Sequence, residues 1–106
     1  MADIDIRQLT NDAEAGDGCT LVAALHQLPY RRTLETLQAV AKLNVDDVAA
    51  NKSIPPLHFE DDWRNGSASL YRPDSGQRIL WGKEIVRMNY LEAEVNGEKP
   101  KFRCSD

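Results

Sequence analysis

Two different hydrophobic periods divide this chain. In the first half Leu21, Ala24, Leu25 and Leu28 recur at i, i+3, i+4 and i+7, the spacing that lines one face of a helix. Pro29 ends that stripe, because it has no N–H to donate and crowds the preceding turn. Asp17 and Thr20 are both suited to cap its start. A second helix is predicted from near Thr33, itself a good N-cap, to about Asn44, with Leu34, Leu37, Val40 and Ala41 on one face. Residues 45–51 add a short third helical turn, and Pro55-Pro56 then turns the chain toward extended geometry.

From Leu57 onward the punctuation belongs to strands. Turn signals stand at Asn65-Gly66, 73–76, Gly82-Lys83 and Asn96-Gly97. They predict strands near 57–63, 67–72, 77–81, 84–95 and 98–104, in an antiparallel meander. With Asn96-Gly97 as a two-residue hairpin loop, Leu91, Ala93 and Phe102 share one face, and Pro100 makes the final strand an edge. One conflict remains within 84–95. Val86, Met88 and Tyr90 alternate with one parity, while Leu91, Ala93 and Val95 take the other, which calls for a bulge near Asn89–Tyr90 or a strand wrapped over two layers.

Helices first and strands afterwards predict an α+β fold, with two or three N-terminal helices packed on one face of a four- to five-stranded antiparallel sheet. A length of 106 residues fits one domain with a single modest core. Residues 1–18 are expected to form an acidic N-terminal arm, 19–51 the helical part and 57–104 the sheet.

Charge changes the picture of possible partners. The net charge of −4 gives no electrostatic footprint for general nucleic-acid binding. The acids are concentrated: residues 1–18 and residues 46–62 each hold five against one base. Such blocks are ordinarily solvated surface, and otherwise form a negative patch that meets a basic partner. The polar, acidic N-terminus is unlike a secretory signal, and no apolar run approaches the length of a membrane span. A soluble cytoplasmic protein is the expectation.

The residues that carry chemistry are few. Cys19 follows Gly16, Asp17 and Gly18 at the start of the first predicted helix, where the helix dipole lowers a thiol's pKa. His58 and Asp74 supply a base and an orienting group for a Cys-His hydrolase. The stretch from Asp17 to Leu25, with His58, is similar to the start of the core helix in papain-like cysteine peptidases, which implies a nucleophilic role for Cys19. The chain departs from that family in having no aromatic residue after the cysteine and a short segment between Cys19 and His58. The structural alternative is a small, partly buried thiol. Cys19 and Cys104 have no metal-ligand spacing, and in a reducing compartment they stay free; a disulfide between them suits an exported protein. No cofactor, nucleotide or metal motif is present in the sequence.

Residues 34–51 loosely fit a helix-turn-helix, and the hairpins after it fit a wing. Asp46 and Asp47 would however open the recognition helix with the wrong sign for phosphate. Aromatic–arginine clusters remain at Tyr30-Arg31-Arg32, at Trp63-Arg64 and around Tyr71, Arg72, Arg78 and Trp81. Such residues are enriched in interface hot spots. The reading that follows is a non-catalytic protein-binding module, of the inhibitor, immunity or accessory kind. Its contacts are expected from Tyr30, Arg31, Arg32, Asp46, Asp47, Asp61, Asp62, Trp63 and Arg64. A winged-helix-like DNA binder and a minimal hydrolase using Cys19 and His58 are the alternatives.

Overall fold

The computed structural model describes residues 4–62, 64–83, 85 and 90–104. Three helices come first, α1 (Ile6–Glu14), α2 (Gly18–Leu25) and α3 (Tyr30–Ala50). Strands β1 (His58–Asp62), β2 (Ser67–Tyr71) and β3 (Arg78–Lys83) follow, then a short helix α4 (Tyr90–Val95) and β4 (Lys101–Cys104). The strands form an antiparallel sheet in the order β1-β2-β3-β4. The fold is α+β, and β4 is an edge strand, as Pro100 predicts.

The segment expected to be an acidic arm is instead α1. Its apolar Ile6, Leu9 and Ala13 return at i, i+3 and i+7, and Asp5 caps it by accepting from Gln8 N at 3.1 Å. The corner between α1 and α2 depends on Gly16, at φ +88°, where left-handed geometry is open to glycine. Gly16 N donates to Ala13 O and Asp17 N to Asp12 O, a paired closure of the helix end. Asp17 then caps α2, accepting from Thr20 N and from the Thr20 hydroxyl, and these bonds hold its carboxyl below the usual range.

Helix α3 begins three residues before the expected Thr33, with Pro29 at its cap, and runs unbroken through the third turn read at 45–51. Thr33 instead donates its hydroxyl back to Tyr30 O at 2.8 Å, and Thr36 does the same to Arg32 O. These bonds let two threonines sit in the core without a buried polar cost.

A second correction falls on residues 90–97. Asn96-Gly97 is not a hairpin loop but the end of α4. Gly97 takes φ +75°, its N–H donates to Glu94 O, and Glu98 N donates to Ala93 O. Left-handed geometry at glycine serves a helix cap here as well as it would serve a turn. The strand expected at 84–95 is therefore absent over 90–95. Ala93 is buried while Leu91 is exposed, so the expected pairing of Leu91 with Phe102 is lost. The bulge proposed near Asn89–Tyr90 falls partly outside the described residues. The observed irregularity is at Ile79, where β3 carries an extra residue between the pairs Leu70–Leu80 and Tyr71–Arg78. It turns two consecutive residues, Ile79 and Leu80, into the core.

The helices cover one face of the sheet. Leu70, Leu80 and Phe102 point toward Leu21, Leu25, Leu37 and Val40. Their burial supplies the main driving force for folding. Two close contacts, one between α2 and β3 and one between the neighbouring strands β3 and β4, require glycine. A Cβ at Gly18 would meet Ile79 O at 1.9 Å, and one at Gly82 would meet the Phe102 ring at 2.6 Å.

Asn44, buried in α3, holds the proline segment against the helices. Its Nδ2 donates to Pro55 O at 3.0 Å and to Glu14 Oε2 at 2.9 Å, and its Oδ1 accepts from Leu57 N at 2.7 Å. Asn44→Ala should cost about 2–3 kcal/mol, because the Leu57 N–H is left buried without an acceptor. Urea unfolding measures that loss. A change under about 0.5 kcal/mol would show that water replaces the side chain.

Candidate functional site

The sequence-predicted contact residues do not form one patch. Tyr30 is 3% exposed and packs in the interior, so it offers no contact surface. Its place in the first turn of α3 points it under the helix. Arg31 and Arg32 are exposed on that turn, near Glu94 (3.9 Å) and Glu35 (3.5 Å). Asp46 and Asp47 lie near the other end of α3, roughly 24 Å away at the helical rise. Asp61 shares its strand face with Phe59, on the side toward the helices. Asp62 accepts from Asn65 N and Nδ2 and so shapes the β1–β2 turn. Arg64 is exposed beside it, and Trp63 lies outside the described residues.

The catalytic candidates are also separated. Cys19 is joined to Cys104 in a disulfide, with S–S 2.03 Å and 85 residues between them, so its sulfur is no free nucleophile. His58 lies on β1 and Cys104 on β4, at opposite edges, about 14 Å apart at the usual strand spacing. His58 packs edge-on against Tyr71 at 5.3 Å between centroids. Asp74 is exposed in the β2–β3 turn. The segment read as a helix-turn-helix is one continuous helix, with no turn between two helices.

Two surfaces are built by tertiary packing. The first is a groove of about 380 Å³ between α1 and α2. Its apolar floor comes from Ile4, Leu9, Ala24 and Leu28, and Asp5 and Asp12 stand on its rim. Ala24 and Leu28 belong to the apolar stripe that the sequence shows, yet they are only half-buried. The stripe is wider than the core needs, and its outer margin forms part of the groove's floor. The second surface is the sheet face away from the helices. It carries His58, Glu60 and Asp62 on β1, Ser67 and Ser69 on β2, Trp81 and Lys83 on β3, and Lys101 and Arg103 on β4. Arg78 lies over the Trp81 ring at 5.6 Å.

Behind the groove, α1 meets α3 through a charged network. Arg7 donates to both carboxylate oxygens of Asp47, and Glu14 lies 3.7 Å from the same guanidinium. Burial pushes the Glu14 carboxyl above its ordinary range, and the neighbouring Asp47 pushes it further, against the opposing pull of Asn44 and Arg7. Asp47 is held low, first by Arg7 and then by the neighbouring Glu14 carboxyl. A carboxyl whose folded pKa is raised stabilises the fold fully below its unfolded pKa, and loses that contribution as pH rises through the folded value. Glu14→Gln mimics the protonated form and keeps an acceptor for Asn44. It should melt higher than wild type at neutral pH, and the difference should close in acid, below about pH 4. Thermal melts at the two pH values check this; a lower melting temperature at neutral pH would contradict it.

No helix among the described residues is long and apolar enough to cross a membrane. Comparisons with protein-family models, with curated proteins and with solved structures find no match to this chain.

Proposed function

We propose that this chain is a non-catalytic protein-binding module, an inhibitor, immunity or accessory protein, whose α1–α2 groove takes an amphipathic helix with basic flanks. The observation that carries this reading is the groove itself, apolar along its floor and acidic at its rim. An amphipathic helix laid into such a groove buries apolar anchors at i, i+3 and i+4 spacing. Lysines or arginines beside those anchors would meet Asp5 and Asp12, which favours encounter and orientation more than affinity. The acidic N-terminal block thus acts through two of its carboxylates. The disulfide favours an oxidising compartment over the cytoplasm.

Titration of isotope-labelled protein with synthetic helical peptides tests the groove. A peptide with leucines on one face and lysine flanks should shift the amide signals of Gln8, Asp12, Thr20 and Gln27, residues that line it. The same peptide with glutamate flanks should bind at least about tenfold more weakly in low salt. Ala24→Arg, which fills the floor and places a cation there, should abolish the shifts. Shifts elsewhere, or equal binding by both peptides, would refute the assignment.

A further inference from the structure

We infer that the outer face of the sheet is a self-complementary surface that takes a second copy of this chain, related by a twofold axis parallel to the strands. The inference rests on the order of charges across the sheet and is independent of the groove. Strand pairing places Glu60, Ser69, Trp81 and Arg103 in one row from edge to edge. It places Asp62, Ser67, Lys83 and Lys101 in the next. Both rows run from an acid on β1, through serine on β2, to bases at the β4 edge.

A twofold axis along the strands, between β2 and β3, lays β1 of one copy over β4 of the other. Each Glu60 then faces the second copy's Arg103, and symmetry repeats every such contact. An axis across the strands would put β1 on β1 and set acid against acid, so the charges select one arrangement. The same operation lays β3 over β2. Trp81, a half-buried side chain, then meets the small residues Ser67 and Ser69, beside a recess of about 250 Å³ that they help to line. Large against small across the axis repeats the complementarity that the charges show.

A face of four short strands is small beside the area that stable interfaces bury. The dimer is therefore reversible and salt-sensitive, held by opposed charges that ions screen.

Sedimentation of the full chain across a range of concentrations tests this. Wild type should show a monomer–dimer equilibrium at about 50 mM salt that shifts to monomer at about 500 mM. Glu60→Lys and Arg103→Glu, both at exposed positions, should each weaken dimerisation by about tenfold or more, since symmetry doubles every reversed contact. Mixed in equal amounts, the two variants should form a heterodimer at least as tight as wild type, because the introduced lysine then faces the introduced glutamate. Their melting temperatures should match wild type, which separates loss of association from loss of fold. A chain that stays monomeric at low salt and high concentration overturns the proposal. So does a dimer indifferent to both variants, or a mixture that fails to restore association.

Discussion

Replacing both cysteines by serine should lower the unfolding free energy by about 4–5 kcal/mol and the melting temperature by about 20–30 °C. The bond between Cys19 and Cys104 closes a loop with a sequence separation of 85, so nearly the whole chain is constrained when unfolded. A domain of this size has on the order of 5–15 kcal/mol of stability in total, so the loss is a large fraction of it. The structural reason is local as well. The bond pins the first turn of α2 to β4, a strand of four residues paired on one side only. Cys19 is exposed, so a reductant has direct access to the pair. Denaturant unfolding of the oxidised protein, the reduced protein and the double variant measures the effect. A difference under about 1 kcal/mol would mean that β4 holds through Phe102 and its pairing with β3 alone.

Gly18→Ala should cost about 3 kcal/mol or more, even though alanine is the better helix former by about 1 kcal/mol. The added Cβ would lie 1.9 Å from the carbonyl oxygen of Ile79 and 2.8 Å from its carbon. Both are backbone atoms of β3, which cannot rotate away as a side chain can. Helix α2 must withdraw from the sheet, and the contacts of Leu21 and Leu25 with Ile79 and Leu80 loosen together. Gly97→Ala is the matched control, because its Cβ would meet nothing within 4 Å and the cost is only that of its positive φ. Chemical unfolding should therefore rank Gly18→Ala well below Gly97→Ala. Equal stabilities, or a more stable Gly18→Ala, would contradict the tight packing of α2 on β3.

The α+β order is legible because the helical period of α2 and α3 ends before the strand signals begin at Leu57; α4, between β3 and β4, is the exception. The core face of α2 is legible in Leu21 and Leu25, and β1 to β3 lie within two residues of the expected strands, although Gly82-Lys83, read as a turn, is paired strand at the end of β3. The errors have identifiable physics. Helix α1 hides in an acidic block, although Asp5, set three residues before Gln8, is the N-cap signal that marks its start. Asn96-Gly97 misleads because glycine's left-handed geometry closes a helix as readily as a hairpin. The parity slip between Tyr90 and Leu91 is the signal that one strand does not cover 84–95. The disulfide could not be read from spacing, since only the fold brings residues so distant together. The groove was out of reach for the same reason: it exists only once α1 crosses α2. The half-buried Ala24 and Leu28 were its one trace in the sequence, as apolar positions beyond what the core uses.

The central claim is that this chain works by holding another protein in the α1–α2 groove. The most direct measurement immobilises wild type, Ala24→Arg and Glu60→Lys, passes the same host lysate over each, and identifies what is retained. One protein should be held in stoichiometric amount by wild type and by Glu60→Lys, lost from Ala24→Arg, and carry a basic amphipathic helix. Equal retention by Ala24→Arg, or an empty column for wild type, would contradict it.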